Sequence, residues 1–322
     1  MKISHILLAS LMVAGLTRPA AAEQYPSRPV TIIVPYAAGG ATDIVARLVA
    51  KGLWDEFGQS FAVENKGGGG GMIGMAAAAS APADGYTLLV ASTGPATISP
   101  LLYPELKYDP LLKLDPVIQI ASAPGLLLVR NGLPVKSLDD LIKLSRQSPG
   151  KLNMASAGNG SLQQLMGEYL QLHEGIKWTH VPFRGSAPAL NELIAGRVDV
   201  MVDVVPSAAP FVKGGKMRAL AVMSLKRSNQ LPDVPTFEEL GYKGIDFSGW
   251  HALLAPKGTP KDVIDKLNAA VNKLMQKPEF LSRLDGIGAQ PNGGTPEQLH
   301  RRMADEMEKW QAVIKRAGLV VN

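Results

Sequence analysis

Five apolar runs in this chain end in short loops of small residues, and a helical pattern starts directly after three of them. "VPYAAGGATD", Val34 to Asp43, follows the β-branched run Val30 to Val34. It leads into Ile44, Leu48, Val49 and Leu53 at helical spacing. "ASAGNGSLQQL" and "VPFRGSAPALNEL" repeat the arrangement, while "VASTGPAT" and "VDVVPSAAP" close two further strands. Such alternation restricts the chain to α/β layering, with a mostly parallel sheet expected.

Further strands are predicted at Phe61 to Glu64, Tyr86 to Ala91, Leu152 to Ala155, Thr179 to Val181, Val198 to Val202 and Met217 to Ser224. A Pro-rich connection, "SPLLYPELKYDPLLKLDP", separates the first series from the apolar segments Val117 to Ala121 and Leu126 to Val129. Helices are expected from Ser137 to Ser145 and from Pro188. Two more close the chain after Thr259-Pro260 and Thr295-Pro296, each with Thr as N-cap and Pro in the first helical position. In the last helix Thr295 and Gln298 have capping-box spacing, Leu299, Met303, Trp310 and Ile314 mark a core-facing stripe, and Gly318 is the expected stop. With 322 residues, 46% hydrophobic and 19% charged, the composition is globular and two domains are expected.

Residues 1–22 read as a secretory signal peptide: Lys2 and His5, the apolar run Ile6 to Leu16, then Arg18, Pro19 and Ala20 to Ala22 before a cut. That run is too short to cross a bilayer, which takes roughly 20 residues. The absence of cysteine removes disulfides, thiolate metal sites, thiol nucleophiles and a lipoprotein anchor. The expected product is a free periplasmic protein, acting as a monomer. Its formal charge of +5 falls to +3 without Lys2 and Arg18 (31 basic against 28 acidic residues), and no basic block interleaves with aromatics, so nucleic acid is not an expected partner.

A small-residue loop between strand and helix exposes unpaired amides at the positive end of the helix dipole, which suits an anion. An ordinary βα connection is the plain alternative for any one loop; the recurrence favours the anion site. In open α/β sheets ligands sit beyond the carboxyl ends of the strands. The candidate binding residues are therefore Tyr36, Ala38, Gly39, Gly40, Thr42 and Asp43; Ser92 and Thr93; Ser156, Gly158, Asn159, Gly160 and Ser161; Arg184, Gly185, Ser186 and Ala187; and Asp203. Asp43 favours the helix N-terminus, fixes the loop or an ordered water, or meets a ligand amine. Arg184 is either a solvated surface residue or a ligand contact.

With these loops in view, the sequence resembles the substrate-binding proteins of tripartite tricarboxylate transporters, the Bug family of periplasmic receptors. The matching stretches include "YPSRPVTIIVPYAAGGATDIVARLVA", "VENKGGGGGMIG", "APADGYTLLVAS", "PGKLNMASAGNGS", "HVPFRGSAPALNELIAGRVDVMVD", "LPDVPTFEELGY" and "APKGTPKDVIDKLN", from Tyr25 almost to the C-terminus. The resemblance implies a two-lobed type II periplasmic-binding-protein (Venus-flytrap) fold with two crossover segments. It also implies a small organic carboxylate held largely by main-chain amides and ordered waters, with delivery to the membrane permease subunits of a tripartite tricarboxylate-type transporter. The lobes are expected at residues 23–121 plus 226–322 and at residues 122–225. Two places depart from the family pattern: Pro95 and Ala96 replace polar or bulkier residues, and His251 stands where Phe or another nonpolar residue is common.

"GGGGGMIG" contains G-x-G-x-x-G at Gly69, Gly71 and Gly74, but no acid follows the next strand where a ribose would need one; it is read as a flexible loop. The five histidines form no H-x-x-x-H pair, no nucleophile elbow or phosphate loop occurs, and no metal or cofactor is expected. Asp139 and Asp140, and Glu238 and Glu239, read as solvated helix surface. The rival reading is a secreted hydrolase or isomerase with Asp43 or Asp203 as general base.

Overall fold

The computed structural model describes residues 25–103 and 109–317. The chain opens with β1 (Val30–Val34), α1 (Ala41–Phe57), β2 (Phe61–Asn65), α2 (Met72–Ala79) and β3 (Thr87–Ser92), and β2-β1-β3 pair in parallel. A wide helical turn over Gly94–Ile98 runs into α3 (Ser99–Leu102), and α4 (Pro110–Lys113) precedes β4 (Leu114–Arg130). Then follow α5 (Leu138–Gln147), β5 (Asn153–Ser156), α6 (Leu162–Glu174), β6 (Thr179–Pro182), α7 (Ser186–Ile194), β7 (Val200–Val204), α8 (Val205–Lys213) and β8 (Met217–Met223). The chain returns through β9 (Ser248–Pro256) to α9 (Lys261–Leu274), α10 (Pro278–Gly286), β10 (Gln290–Pro291) and α11 (Pro296–Ala317).

β4 joins the two halves. Between Leu114 and Pro124 it pairs with β9; from Gly125 onward it pairs with β7 on one side and β8 on the other, all antiparallel. The return crossing lies beside it, because Gly125 N–H donates to the Phe247 carbonyl and Phe247 N–H to the Met223 carbonyl. Gly125 is closely packed: a Cβ there would displace the Met166 Cε tip, 2.6 Å away, and would stand 3.1 Å from the Phe247 carbonyl oxygen. The apolar segments at 117–121 and 126–129 are thus one continuous strand. The expected parallel sheet is confined to β2-β1-β3 and β6-β5-β7, and the strands near the crossings run antiparallel.

Each half has its own core. Val30, Ile32, Val34 and Leu88 pack against Val45, Val49 and Leu53 of α1 and Leu267 and Val271 of α9. In the other half Leu127, Met154 and Val202 pack under α5 and α6, while Leu126, Leu128 and Met201 pack under α7 and α8. The alternation of β4 residues between two faces gives both layers apolar cover. α11 bridges the halves, with Leu299 and Met303 against Trp250 in one cluster and Trp310 stacked on Phe247 at 5.9 Å in another.

Some local expectations change. α7 starts at Ser186, two residues before Pro188. Pro260, not Thr259, occupies the cap position of α9, and the Thr259 hydroxyl donates to the Pro256 carbonyl instead. Thr295 and Gln298 do form a reciprocal box at α11. α2 and α10 were not legible: "MIGMAAAA" is apolar on every side and has no amphipathic period. Asp140 closes a capping box with Ser137, Asp139 accepts from Tyr242, and Glu239 pairs with Arg227 and caps Thr236, so these acids are structural as well as solvated. The signal peptide and Gly318 lie outside the described residues.

Candidate functional site

The ends of β1, β3, β5, β6 and β7 meet around a small, partly open cavity of about 30 Å³ between the halves. Tyr36, Gly40, Ala41, Thr42, Ser92, Thr93 and the β9 residues Gly249, Trp250 and His251 form one wall. Ala157, Leu162, Gln163, Ser186 and Val204 form the other.

The β1–α1 loop is shaped by what its first helical turn lacks. Gly40, extended at φ −82° and ψ 168°, is the N-cap and supplies no capping side chain. The first helical hydrogen bond runs from Ile44 N–H to the Gly40 carbonyl, so the Ala41, Thr42 and Asp43 amides have no helical acceptor. Gly40, Ala41 and Thr42 line the cavity, which places this positive helix end at its wall.

Asp43 does not line it. Its Oδ2 accepts from Gly39 N–H and Arg47 Nε, both at 3.0 Å, and its Oδ1 accepts from Asn65 Nδ2 at 2.9 Å. Asn65 Nδ2 also donates to the Tyr36 carbonyl. Burial pushes this carboxyl up, but the Arg47, Gly39 and Asn65 hydrogen bonds outweigh it and hold the group below its ordinary value. Of the roles open to Asp43 in the sequence, the geometry shows loop fixing. Ala38 and Gly39 face the exterior.

Opposite lies a buried polar cluster. Asp203, fully buried at the end of β7, accepts from Ser186 Oγ at 2.8 Å, Gln163 Nε2 at 3.2 Å and Ser207 Oγ at 2.7 Å. Burial pushes its carboxyl up while these donors pull the other way. Its place is behind Ser186 and Gln163, away from the cavity wall.

The β5–α6 loop takes a different course from the one expected. Ser156 Oγ pairs with His180 Nε2 at 2.7 Å and accepts from Gly158 N–H. Gly160 N–H donates to Gln164 Oε1, and the Ser161 hydroxyl accepts from Gln164 N–H as the α6 N-cap. Ser156, Gly158, Asn159, Gly160 and Ser161 therefore stand off the cavity; only Ala157 of this loop lines it. Gly158, Asn159 and the exposed Arg184 instead border a broad surface depression with Gly69 and Gly70.

The halves touch through main-chain groups and one serine hydroxyl. Ala37 N–H donates to the Arg184 carbonyl at 3.1 Å, and Ser99 Oγ donates to the Gly160 carbonyl at 3.1 Å. A Cβ on Gly185 would stand 3.1 Å from Ala37 N, and Ala187 Cβ lies 3.5 Å from where a Gly39 side chain would begin. Gly70 fits against the opposite half so closely that a Cβ would stand 1.7 Å from the Asn159 carbonyl oxygen. The glycine-rich segment is thus packed into the junction and not a free loop.

His251 lines the cavity at 3% exposure, and its Nδ1 has no hydrogen-bond partner among the described residues. Burial lowers its pKa to about 4. Beside it, Trp250 is fixed by its N–H to Thr93 Oγ1 at 2.9 Å and its indole Nε1 to Glu306 at 2.6 Å. Among the described residues no group of His, Asp or Glu could hold a metal ion. Gln163, Leu162, Val204 and Trp250 escaped the sequence reading; Gln163 lies in the first turn of α6, where an amide looks like helix surface.

Residues 45–319 match the family described as tripartite tricarboxylate transporter family receptor. The chain belongs to that family. Among its relatives, protein BugT of Bordetella pertussis is 37% identical over 309 residues, covering 96% of this chain and 95% of BugT. Two solved receptors superpose closely. The Rpa4515 protein of R. palustris, solved with adipate, has a TM-score of 0.89 and 38% identity over 92% of this chain and 99% of its own. MatC of Rhodopseudomonas palustris, solved with malate, has a TM-score of 0.86 and 35% identity over 90% of this chain and all of its own. As a tripartite tricarboxylate transporter receptor, the chain is a solute-binding protein with a periplasmic-binding-protein fold.

Proposed function

We propose that the protein is an exported periplasmic receptor that closes around a small organic carboxylate and delivers it to the permease of a tripartite transporter. The carrying observation is the uncapped first turn of α1, which abuts a small cavity between the halves whose lining contains no Lys or Arg; with room for only about one water, it widens as the halves part to admit a carboxylate. Neutral amides and hydroxyls bind a carboxylate without requiring a buried cation that would itself need pairing. The adipate and malate bound by the two R. palustris receptors support this ligand class.

In this reading residues 23–121 plus 226–322 and residues 122–225 are the moving lobes. Tyr36, Gly40, Thr42, Ser92, Thr93 and Ser186 meet the ligand, Asp43 and Asp203 hold them, and the loops at Gly39, Gly158 to Ser161 and Arg184 to Ala187 form the seam. A ligand touching both walls shifts the population toward closure. The hydrolase or isomerase reading gains nothing from the geometry: Asp43 and Asp203 are each engaged by three donors and neither lines the cavity.

A thermal-shift screen over adipate, malate, citrate, glutamate and benzoate, with each ligand examined by NMR after incubation, tests the function. The expected result is a saturable rise in melting temperature with unaltered ligand, equivalent to about 2.7 kcal/mol at a hundredfold excess over Kd. A chemical product, or no shift with any carboxylate, overturns it.

A further inference from the structure

Asp203 has no counter-ion among the described residues. It ends β7 with no exposed surface, and its partners are all neutral: Ser186 Oγ, Gln163 Nε2, Ser207 Oγ and the Val204 backbone. The charged residues of the elements packed against it are committed elsewhere. Arg130 of β4 pairs with Asp199, Arg218 of β8 donates to the Val135 carbonyl, and Lys213 of α8 donates to Gln230. Glu168 of α6 accepts from Gln171, His173 and Glu174 at its end pair with one another, and Glu192 of α7 pairs with Arg197. Across the cavity α1 presents Asp43, held by Arg47, and β9 presents His251, kept neutral by burial.

The hydroxyls around Asp203 leave a place for a proton. Ser207 Oγ lies 2.7 Å from Asp203 Oδ2 and 3.0 Å from the Val204 carbonyl, two acceptors for one hydroxyl proton while the acid is ionised. With Oδ2 protonated, Asp203 donates to Ser207 and Ser207 donates to Val204, so both bonds are made at once. On the cavity side Oδ1 and Ser186 Oγ, 2.8 Å apart, share one amide proton of Gln163, and Oδ1 keeps these neighbours in either state.

Burial favours the neutral acid, whereas the donors and the N-terminal ends of α7 and α8 favour the anion while the cavity holds no charge. A carboxylate bonded to the Ser186 hydroxyl lies two hydrogen bonds from Asp203, about 5–6 Å. It adds a second negative charge beside a wall that contains no Lys or Arg. Where two carboxyls share such a site, the pKa of one is raised, because both cannot ionise without repulsion.

Resting on the receptor reading above, we propose that the protein takes up a proton together with its carboxylate ligand, and that Asp203, behind the cavity wall, is the group that holds it. The charge that enters the cavity is answered by loss of the charge behind it. Because the ligand raises the pKa of this carboxyl, uptake falls between the free and the bound value. Affinity is greatest below that window and weakens as pH rises through it, by about tenfold for each pH unit the window spans.

Calorimetric titration with malate and with adipate from about pH 5.5 to about pH 8, each in two buffers of different ionisation enthalpy, counts the protons taken up per ligand bound. The wild type is expected to take up at least about half a proton at its maximum, with Kd rising at least about tenfold from the acid to the alkaline end. Asp203→Asn, whose amide donates to Ser207 as the protonated acid does, is expected to lose the uptake and to show a Kd that changes less than about twofold with pH. Ser207→Ala removes a donor from the ionised acid and is expected to move the uptake maximum about one pH unit upward. It reads the same carboxyl should the asparagine variant not fold, which thermal melting shows. Binding without uptake, a maximum that stays in place in Ser207→Ala, or an uptake that persists in folded Asp203→Asn overturns the proposal and leaves the receptor reading standing. If neither ligand binds, the proposal falls as well, and the reading beneath falls only if the wider carboxylate screen fails too.

Discussion

The loops between β1 and α1 and between β5 and α6 are made of the same kinds of residue, mostly small and uncharged with glycine prominent, yet they start their helices in opposite ways. At α6, Ser161 caps Gln164 N–H, Gln164 answers Gly160 N–H and Ser156 answers Gly158 N–H, so the loop satisfies its own donors. At α1 the cap is Gly40, and the nearest acid, Asp43, is turned back on Gly39, Arg47 and Asn65. One loop is closed on itself and serves as a seam; the other keeps its first-turn amides available at a cavity. What separates them is one oxygen at the cap position, since serine consumes an amide that glycine leaves free.

The contrast can be broken at three points. The largest effect is expected at the seam itself, with Gly70→Ala. The methyl would stand 1.7 Å from the Asn159 carbonyl oxygen across the junction, at a left-handed φ of 62°. Ligand affinity should fall on the order of a hundredfold because the closed arrangement becomes inaccessible, while the folded state loses only about 1–2 kcal/mol. Calorimetry with small-angle scattering checks this, and a variant that still binds and compacts normally shows that closure does not use this contact.

Asp43→Ala should come next. Removing the anchor of Gly39 and Asn65 should cost about 2 kcal/mol, with the half-exposed Arg47 contributing under about 1 of it, and weaken ligand binding roughly tenfold. Because the folded carboxyl titrates below its ordinary 3.8, its contribution is full above pH 3.8. Stability curves of wild type and variant should converge only as pH falls through the lower folded value, and a gap already closed at pH 5 contradicts the assigned bonds.

Ser161→Ala should do least to function: about 1 kcal/mol lost in thermal unfolding as the α6 cap disappears, with ligand affinity within about twofold. If that substitution removes binding instead, the second loop meets the ligand directly and the difference between the two loops collapses.

Much of this was legible beforehand. Tyr36, Gly40, Thr42, Ser92, Thr93 and Ser186 were picked because strand-to-helix junctions collect at one end of α/β sheets, and all six line the cavity. Ser156, Gly158, Asn159, Gly160 and Ser161 were picked on the same grounds and stand off it, since sequence texture does not tell whether a loop's hydroxyls face outward or cap their own helix. The glycine run was equally opaque: five small residues read as freedom of movement, whereas here they permit backbone contact across the junction.

Residue order by itself determined the layered α/β architecture, most strand positions and which ends of them carry small polar loops, because hydrophobic period and cap chemistry act over a few neighbouring residues. Only the tertiary structure decided that one strand, β4, serves both halves, that Gln163 and His251 reach the cavity, and that Asp43 and Asp203 lie behind its walls. Those facts depend on contacts between segments far apart in the chain, whose register and facing are set by packing and leave no local signature.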